Sequence, residues 1–147
     1  MEEEFNKGRK KAMLLLNQKD RTVWELQDRL TRAGFEEAVV EDAIAYVTSF
    51  HYLDDKRYAM QYADIHRERK SIRRIRQELK QKHVPEEYIE LALEEIAYDD
   101  SQALHKALTK CLKGREISEL SYEDKEKIAA KLYRKGFRTS DIFQSLT

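Results

Sequence analysis

The fold is decided by residues 22–35, Thr22-Val23-Trp24-Glu25-Leu26-Gln27-Asp28-Arg29-Leu30-Thr31-Arg32-Ala33-Gly34-Phe35. Thr22 and Glu25 have the spacing of a capping box, in which a hydroxyl and a carboxylate three residues apart satisfy the first free N–H groups of a helix. Leu26, Leu30 and Ala33 recur at i, i+4 and i+7 and so share one helical face. Gly34 then stops the helix. A residue just past the last turn takes the left-handed conformation most easily without a Cβ, and Phe35 is the apolar residue that packs back on that turn.

The same pattern returns twice. Leu26, Leu30, Gly34, Phe35, Val40 and Ile44 fall onto Ile75, Leu79, His83, Val84, Ile89 and Leu93 with a shift of 49 residues. A further shift of 53 brings these onto Ile128, Leu132, Gly136, Phe137, Ile142 and Leu146. His83 stands where the other copies carry glycine, a tolerated but less favourable choice for a left-handed cap. Further helical stripes run through Val39, Val40, Ala43, Ile44 and Val47, through Ile72, Ile75 and Leu79, and through Ile89, Ala92, Leu93 and Ile96. Ser121 with Asp124 and Pro85 before Glu86 and Glu87 add helix starts. No segment alternates as a strand. The expected fold is all-α, with nine helices in three tandem three-helix repeats at residues 1–53, 54–98 and 99–147. Such units bury their faces partly against their neighbours and tend to build an elongated body.

Composition narrows the function classes. The chain has 147 residues with 28 Lys+Arg against 28 Asp+Glu, and its 41% hydrophobic content is enough for a core. The longest apolar run, Ala12 to Leu16, is far short of the roughly 18 residues of a membrane span and of a secretion signal, so a cytoplasmic protein without a membrane partner is expected. A single cysteine, Cys111, removes disulfide frameworks and thiolate metal sites; it continues the stripe of Leu104, Ala107 and Leu108 as a small hydrophobe. Scattered histidines and the absence of a glycine-rich phosphate loop or H-E-x-x-H pattern leave no catalytic constellation, so neither an enzyme, a metal nor a cofactor is expected.

Charge neutrality is a cancellation of blocks. Residues 67–82 carry eight basic side chains against two acidic ones, residues 86–100 seven acidic and no Lys or Arg, and residues 105–138 ten basic against five acidic. Five of the eight basic residues in the first block are Arg, whose planar fork suits phosphate and carboxylate alike. Such blocks create local fields that a chain-wide sum hides.

Between the first two copies stands Tyr52-Leu53-Asp54-Asp55-Lys56-Arg57-Tyr58-Ala59. Asp54 or Asp55 can cap the helix that follows, with Tyr58, Ala59 and Tyr62 on its inner stripe; Asp99 and Asp100 hold the corresponding place before the third copy. This segment, read with Ala12, Leu15, Thr22, Glu25-Leu26, Leu30 and Gly34-Phe35 of the first copy and Arg74-Ile75, Glu78-Leu79, Val84, Ile89 and Ala92-Leu93 of the second, resembles the RecX family of regulators of the RecA recombinase. The likeness extends over about residues 9 to 146 and its motif residues are Leu53, Asp54, Asp55, Arg57, Tyr58 and Ala59. Two departures are Ser71, near a position where the family often has glycine, and His83.

The resemblance implies a non-enzymatic, curved helical protein, expected as a monomer, that binds along the groove of the RecA filament on single-stranded DNA. It further implies inhibition of the ATPase, coprotease and recombinase activities of RecA, and so a part in DNA repair, recombination and the SOS response; some members of the family also bind bare DNA. The residues that fit such a partner are Arg67, Arg69, Lys70, Arg73, Arg74, Arg76 and Lys80, with Lys131, Arg134, Lys135 and Arg138 as a second basic patch. The aromatic residues mostly follow apolar stripes, although an exposed Tyr could stack on a base. Two alternatives remain: a helix-turn-helix-like DNA-binding protein, disfavoured by the acidic third helices at 36–42 and 86–95, and a helical scaffold without nucleic acid.

Overall fold

A computed structural model describes residues 2–96 and 99–147; the expected boundary between the second and third copies therefore falls beside residues outside the described set. The described residues form nine α-helices and one short 3₁₀ turn, with no strand among them. The helices are α1 Glu2–Gln18, α2 Val23–Arg32, α3 Glu37–Ser49, α4 Asp55–His66, α5 Ile72–Gln81, α6 Glu86–Glu95, α7 Ser101–Leu112, α8 Tyr122–Arg134 and α9 Thr139–Ser145.

The local signals act as read. Thr22 closes a reciprocal capping box with Glu25 at the start of α2, and Ser121 Oγ accepts the Asp124 N–H at the start of α8. All three second helices, α2, α5 and α8, end in the same double hydrogen bond. Gly34, His83 and Gly136 lie at φ 97°, 60° and 99°. Their N–H groups reach the carbonyls of Thr31, Lys80 and Tyr133, while Phe35, Val84 and Phe137 reach those of Leu30, Leu79 and Leu132. This 6→1 plus 5→2 pairing satisfies carbonyls that a helix end otherwise leaves open. The helix α3 ends likewise, at His51 and Tyr52, which the sequence spacing does not announce.

The chain divides into two compact units, one of residues up to 60 with 79–90, the other of 61–78 with 91–147. The core of the first contains Ala12, Leu15, Leu26, Leu30, Val40, Ala43, Val47 and Leu53. Each of these Leu and Val side chains contributes about 1.5–3 kcal/mol when fully buried. In the same unit Arg9 makes a bidentate bond to Asp42, at 2.8 and 2.9 Å, and its guanidinium lies 4.7 Å from the centre of the Tyr46 ring, tying α1 to α3. The second unit is built on Leu104, Leu108, Leu120, Ile128, Leu132, Phe137, Ile142 and Leu146. Cys111 packs half-buried against that cluster. Ala33 departs from its stripe: as the cap residue of α2 it stands past the last inward turn and is exposed.

Candidate functional site

The same helix junction occurs once in each unit. In the first unit, Thr22 Oγ1 accepts the Glu25 N–H at 3.2 Å and donates its own proton to the Lys82 carbonyl at 2.8 Å. The next N–H, of Val23, is taken by Asp55 Oδ1 at 2.9 Å. In the second unit Ser71 Oγ accepts the Arg74 N–H at 3.1 Å and donates to the Lys135 carbonyl at 2.8 Å, and the Ile72 N–H goes to Asp100 Oδ2 at 3.1 Å. One hydroxyl thus serves two helix ends, capping the start of one and satisfying a late carbonyl of another. An aspartate from the start of a third helix completes the clasp.

The shared motif at the first junction reads directly as structure. Leu53 and Ala59 are buried, Asp54 Oδ1 accepts the Arg57 N–H and so caps α4, and Asp55 leaves its own helix to hold the start of α2. Arg57 donates from its guanidinium to the carbonyls of His51 and Tyr52, at 2.9 and 3.4 Å, closing the end of α3. Tyr58 is half-buried, and its hydroxyl is pushed up to about 12, first by burial and then by the charges of Glu25, Asp20 and Asp55. Burial also raises the Asp55 carboxyl above its usual range, against the pull of the Val23 N–H. Asp99, at the second junction, accepts the Ser101 N–H, which lowers its carboxyl.

The basic residues divide into groups the sequence does not separate. Glu78 gathers Lys70 at 2.6 Å, Arg74 at 3.1 Å and the Tyr62 hydroxyl. Burial opposes ionisation there, yet these donors hold the Glu78 carboxyl down at about 2. Lys70 is half-buried in this cluster, whereas Arg74 reaches Glu78 from an exposed position one turn away on α5. Because the folded carboxyl titrates below its unfolded value, its contribution is present above about pH 4.5 and is lost as the pH falls toward 2. After allowance for solvent around Arg74, wild type should lose about 1–2 kcal/mol over that interval that a Glu78→Gln variant does not lose. Parallel acid titrations of urea stability check this.

The rest of the first set lies at the surface. Arg67 approaches Asp64 at 4.0 Å, Lys80 approaches Glu86 at 3.7 Å, and Arg76 is half-buried. Arg69, in the turn before α5, and Arg73, in its first turn, are exposed and pair with no carboxylate among the described residues. In the second patch Lys131 and Arg134 occupy the exposed last turn of α8, where cations complement the helix dipole, and Arg138 is exposed just before α9. Lys135 is half-buried, and its carbonyl is the one that Ser71 binds.

That last bond joins the two patches. Gly136 sits so close to the start of α5 that a Cβ placed on it would lie 2.5 Å from Ser71 Oγ and 3.5 Å from the Arg73 Cβ. Residues separated by more than sixty positions in sequence, Ser71 and Arg73 on one side and Lys135 and Gly136 on the other, therefore meet. All of both sets except Lys80 fall in the second unit, which carries 16 basic against 13 acidic residues, while the first carries 12 against 15. No group of three or more His, Cys, Asp or Glu suited to a metal ion occurs among the described residues.

Two family models match this arrangement: the first three-helix domain of RecX over residues 9–46 and the second over residues 54–93. A regulatory protein RecX from Vibrio campbellii is 40% identical over 104 residues, covering 70% of this chain and 67% of its own length. The chain belongs to the RecX family. A regulatory protein RecX from Bacillus licheniformis is 33% identical over 147 residues, which cover 98% of this chain; the chain spans 56% of that protein. Among solved structures, RecX from Lactobacillus salivarius superposes with a TM-score of 0.81 at 27% identity, covering 99% of this chain and 98% of the other. These relatives are regulatory proteins, and this chain has their all-helical fold. No helix among the described residues is long and apolar enough to cross a membrane.

Proposed function

We propose that this RecX-family chain acts by binding rather than catalysis. It lies as a monomer in the groove of the RecA filament on single-stranded DNA and lowers the ATPase, coprotease and recombinase activities of RecA in the cytoplasm. Family membership supports the partner. The observation that supports the contact is the set of exposed basic side chains in the second unit, Arg69, Arg73 and Arg138, with Arg73 packed at Gly136 next to the end of α8. The three-repeat division at 1–53, 54–98 and 99–147 is supported by the common ending of α2, α5 and α8 and by the twice-built clasp. Arg67, Arg76, Lys80, Lys131 and Arg134 extend the contact, whereas Lys70 and Arg74 shape it through Glu78.

The test is a triple variant, Arg69→Gln, Arg73→Gln and Arg138→Gln. Its affinity for RecA filaments on single-stranded DNA should fall at least about 10-fold at low salt, and its ATPase inhibition should fall with it, while circular dichroism stays that of wild type. For each phosphate contact removed, the log–log salt slope should shrink by about 0.7. Unchanged affinity at low salt overturns the assignment of this surface.

A further inference from the structure

The first unit holds an open cavity of about 630 Å³ formed where α2, α3, α4, α5 and α6 begin or end. Aromatic and imidazole rings contribute much of its lining: Trp24 and His83 stack with ring centres 4.1 Å apart and planes 22° from parallel, and Tyr88 and His51 line it as well. Asp54 and Asp55 also line it, and no Lys or Arg does. Neither carboxylate is ion-paired among the described residues. Arg57 spends its guanidinium on the His51 and Tyr52 carbonyls, and Lys82 pairs instead with Glu25 at 3.6 Å.

Asp55 is only 9% exposed, and the hydrogen bond it accepts comes from the neutral Val23 N–H. The ends of α2 and α4 give each carboxylate a hydrogen bond, but a helix end carries only about half a charge, so two such ends leave two carboxylates undercompensated. A largely buried anion without a counter-ion favours a cation supplied from outside. An anionic ligand would be repelled by both aspartates, and a purely apolar one would leave Asp55 without its counter-charge.

We propose that this cavity receives an arginine side chain presented by a protein partner. A guanidinium is planar, weakly hydrated and always charged, so it can lie against the Trp24 and Tyr88 rings while its N–H groups reach carboxylate oxygen. Lysine supplies the charge without the flat face. The inference is independent of the contact proposed for the basic surface, which lies in the other unit. It assigns recognition of a protein to the acidic unit.

Trp24 is the only tryptophan of the chain, so intrinsic fluorescence reads this cavity in the full-length protein. The probe is the peptide acetyl-Gly-Arg-Gly-amide, titrated at pH 8. A saturable change with a Kd of about 1–10 mM is expected for one charged side chain on an aromatic wall. The citrulline peptide, equal in shape but uncharged, should bind at least about 10-fold more weakly. An Asp54→Asn, Asp55→Asn variant, which keeps both acceptor oxygens, should show the same loss with unchanged circular dichroism. The Arg69→Gln, Arg73→Gln, Arg138→Gln variant should bind the peptide as wild type does, so failure of one assignment is distinguishable from failure of the other. Absence of saturation, equal binding of the citrulline peptide, or a Trp24 response to oligothymidylate in place of the peptide would overturn the proposal.

Discussion

Replacing Gly136 by alanine is expected to destabilise the protein by about 2–3 kcal/mol, while the same change at Gly34 should cost about 1 kcal/mol. Both glycines lie in the left-handed region, at φ 99° and 97°. An L side chain there carries a penalty of about 1–2 kcal/mol, partly offset by the smaller entropy of the unfolded alanine chain. The two sites differ in what surrounds them. A Cβ on Gly34 meets nothing within 4 Å, whereas one on Gly136 would lie 2.5 Å from Ser71 Oγ and force that hydroxyl off the Lys135 carbonyl or off the Arg74 N–H. Loss of a buried bond of this kind adds about 1–2 kcal/mol. Urea unfolding followed by circular dichroism measures both variants side by side. Equal losses would contradict the role given to the second junction. The first junction accepts a side chain at the matching position, where His83 adopts φ 60° and turns its ring onto Trp24.

At the other junction, Asp55→Ala should cost about 2 kcal/mol at neutral pH, because it strands the Val23 N–H that starts α2. Asp55→Asn keeps an acceptor oxygen and removes a buried charge, so it should be as stable as wild type at pH 7, or more stable. The pH dependence follows from the raised carboxyl. A group that binds its proton more tightly in the folded protein adds stability below its unfolded titration range and loses it as the pH rises through the folded one. Wild type should therefore gain on the Asn variant as the pH falls from 7 to 3. Glu78 has the opposite sign, since its carboxyl is lowered to about 2. A stability ranking of wild type and Asp55→Asn that is the same at both pH values would sink this account, and unfolding curves across that range give it directly.

Much of the site's local chemistry was legible in the sequence, because it obeys rules that act over three to six residues. The capping box of Thr22 and Glu25, the Gly34-Phe35 and Gly136-Phe137 stops, and even the weaker His83 stop all depend on backbone groups a few positions apart. Sequence also located the basic blocks and showed that a neutral sum concealed them. It left Asp54 and Asp55 equivalent, since each is correctly placed to cap α4. Packing distinguishes them: Asp54 caps, and Asp55 turns to the start of a different helix. Lys70 and Arg74 likewise read as free cations beside Arg69 and Arg73. In the structure Glu78 pairs with both, a half-buried Lys70 and an exposed Arg74, and only the approach of α4 adds the Tyr62 hydroxyl to the cluster.

By itself, then, the sequence determined that this chain is helical, where its helices stop, and which stretches carry which charge, because those properties are set by nearest neighbours along the backbone. The tertiary structure alone decided that a threonine and a serine bind carbonyls 60 and 64 residues away, that Gly136 packs against Ser71 and Arg73, and that two aspartates share a cavity with Trp24 and His83. Such contacts depend on the angles at which helices pack. Those angles are the joint result of many buried side chains, and no short spacing along the chain encodes them.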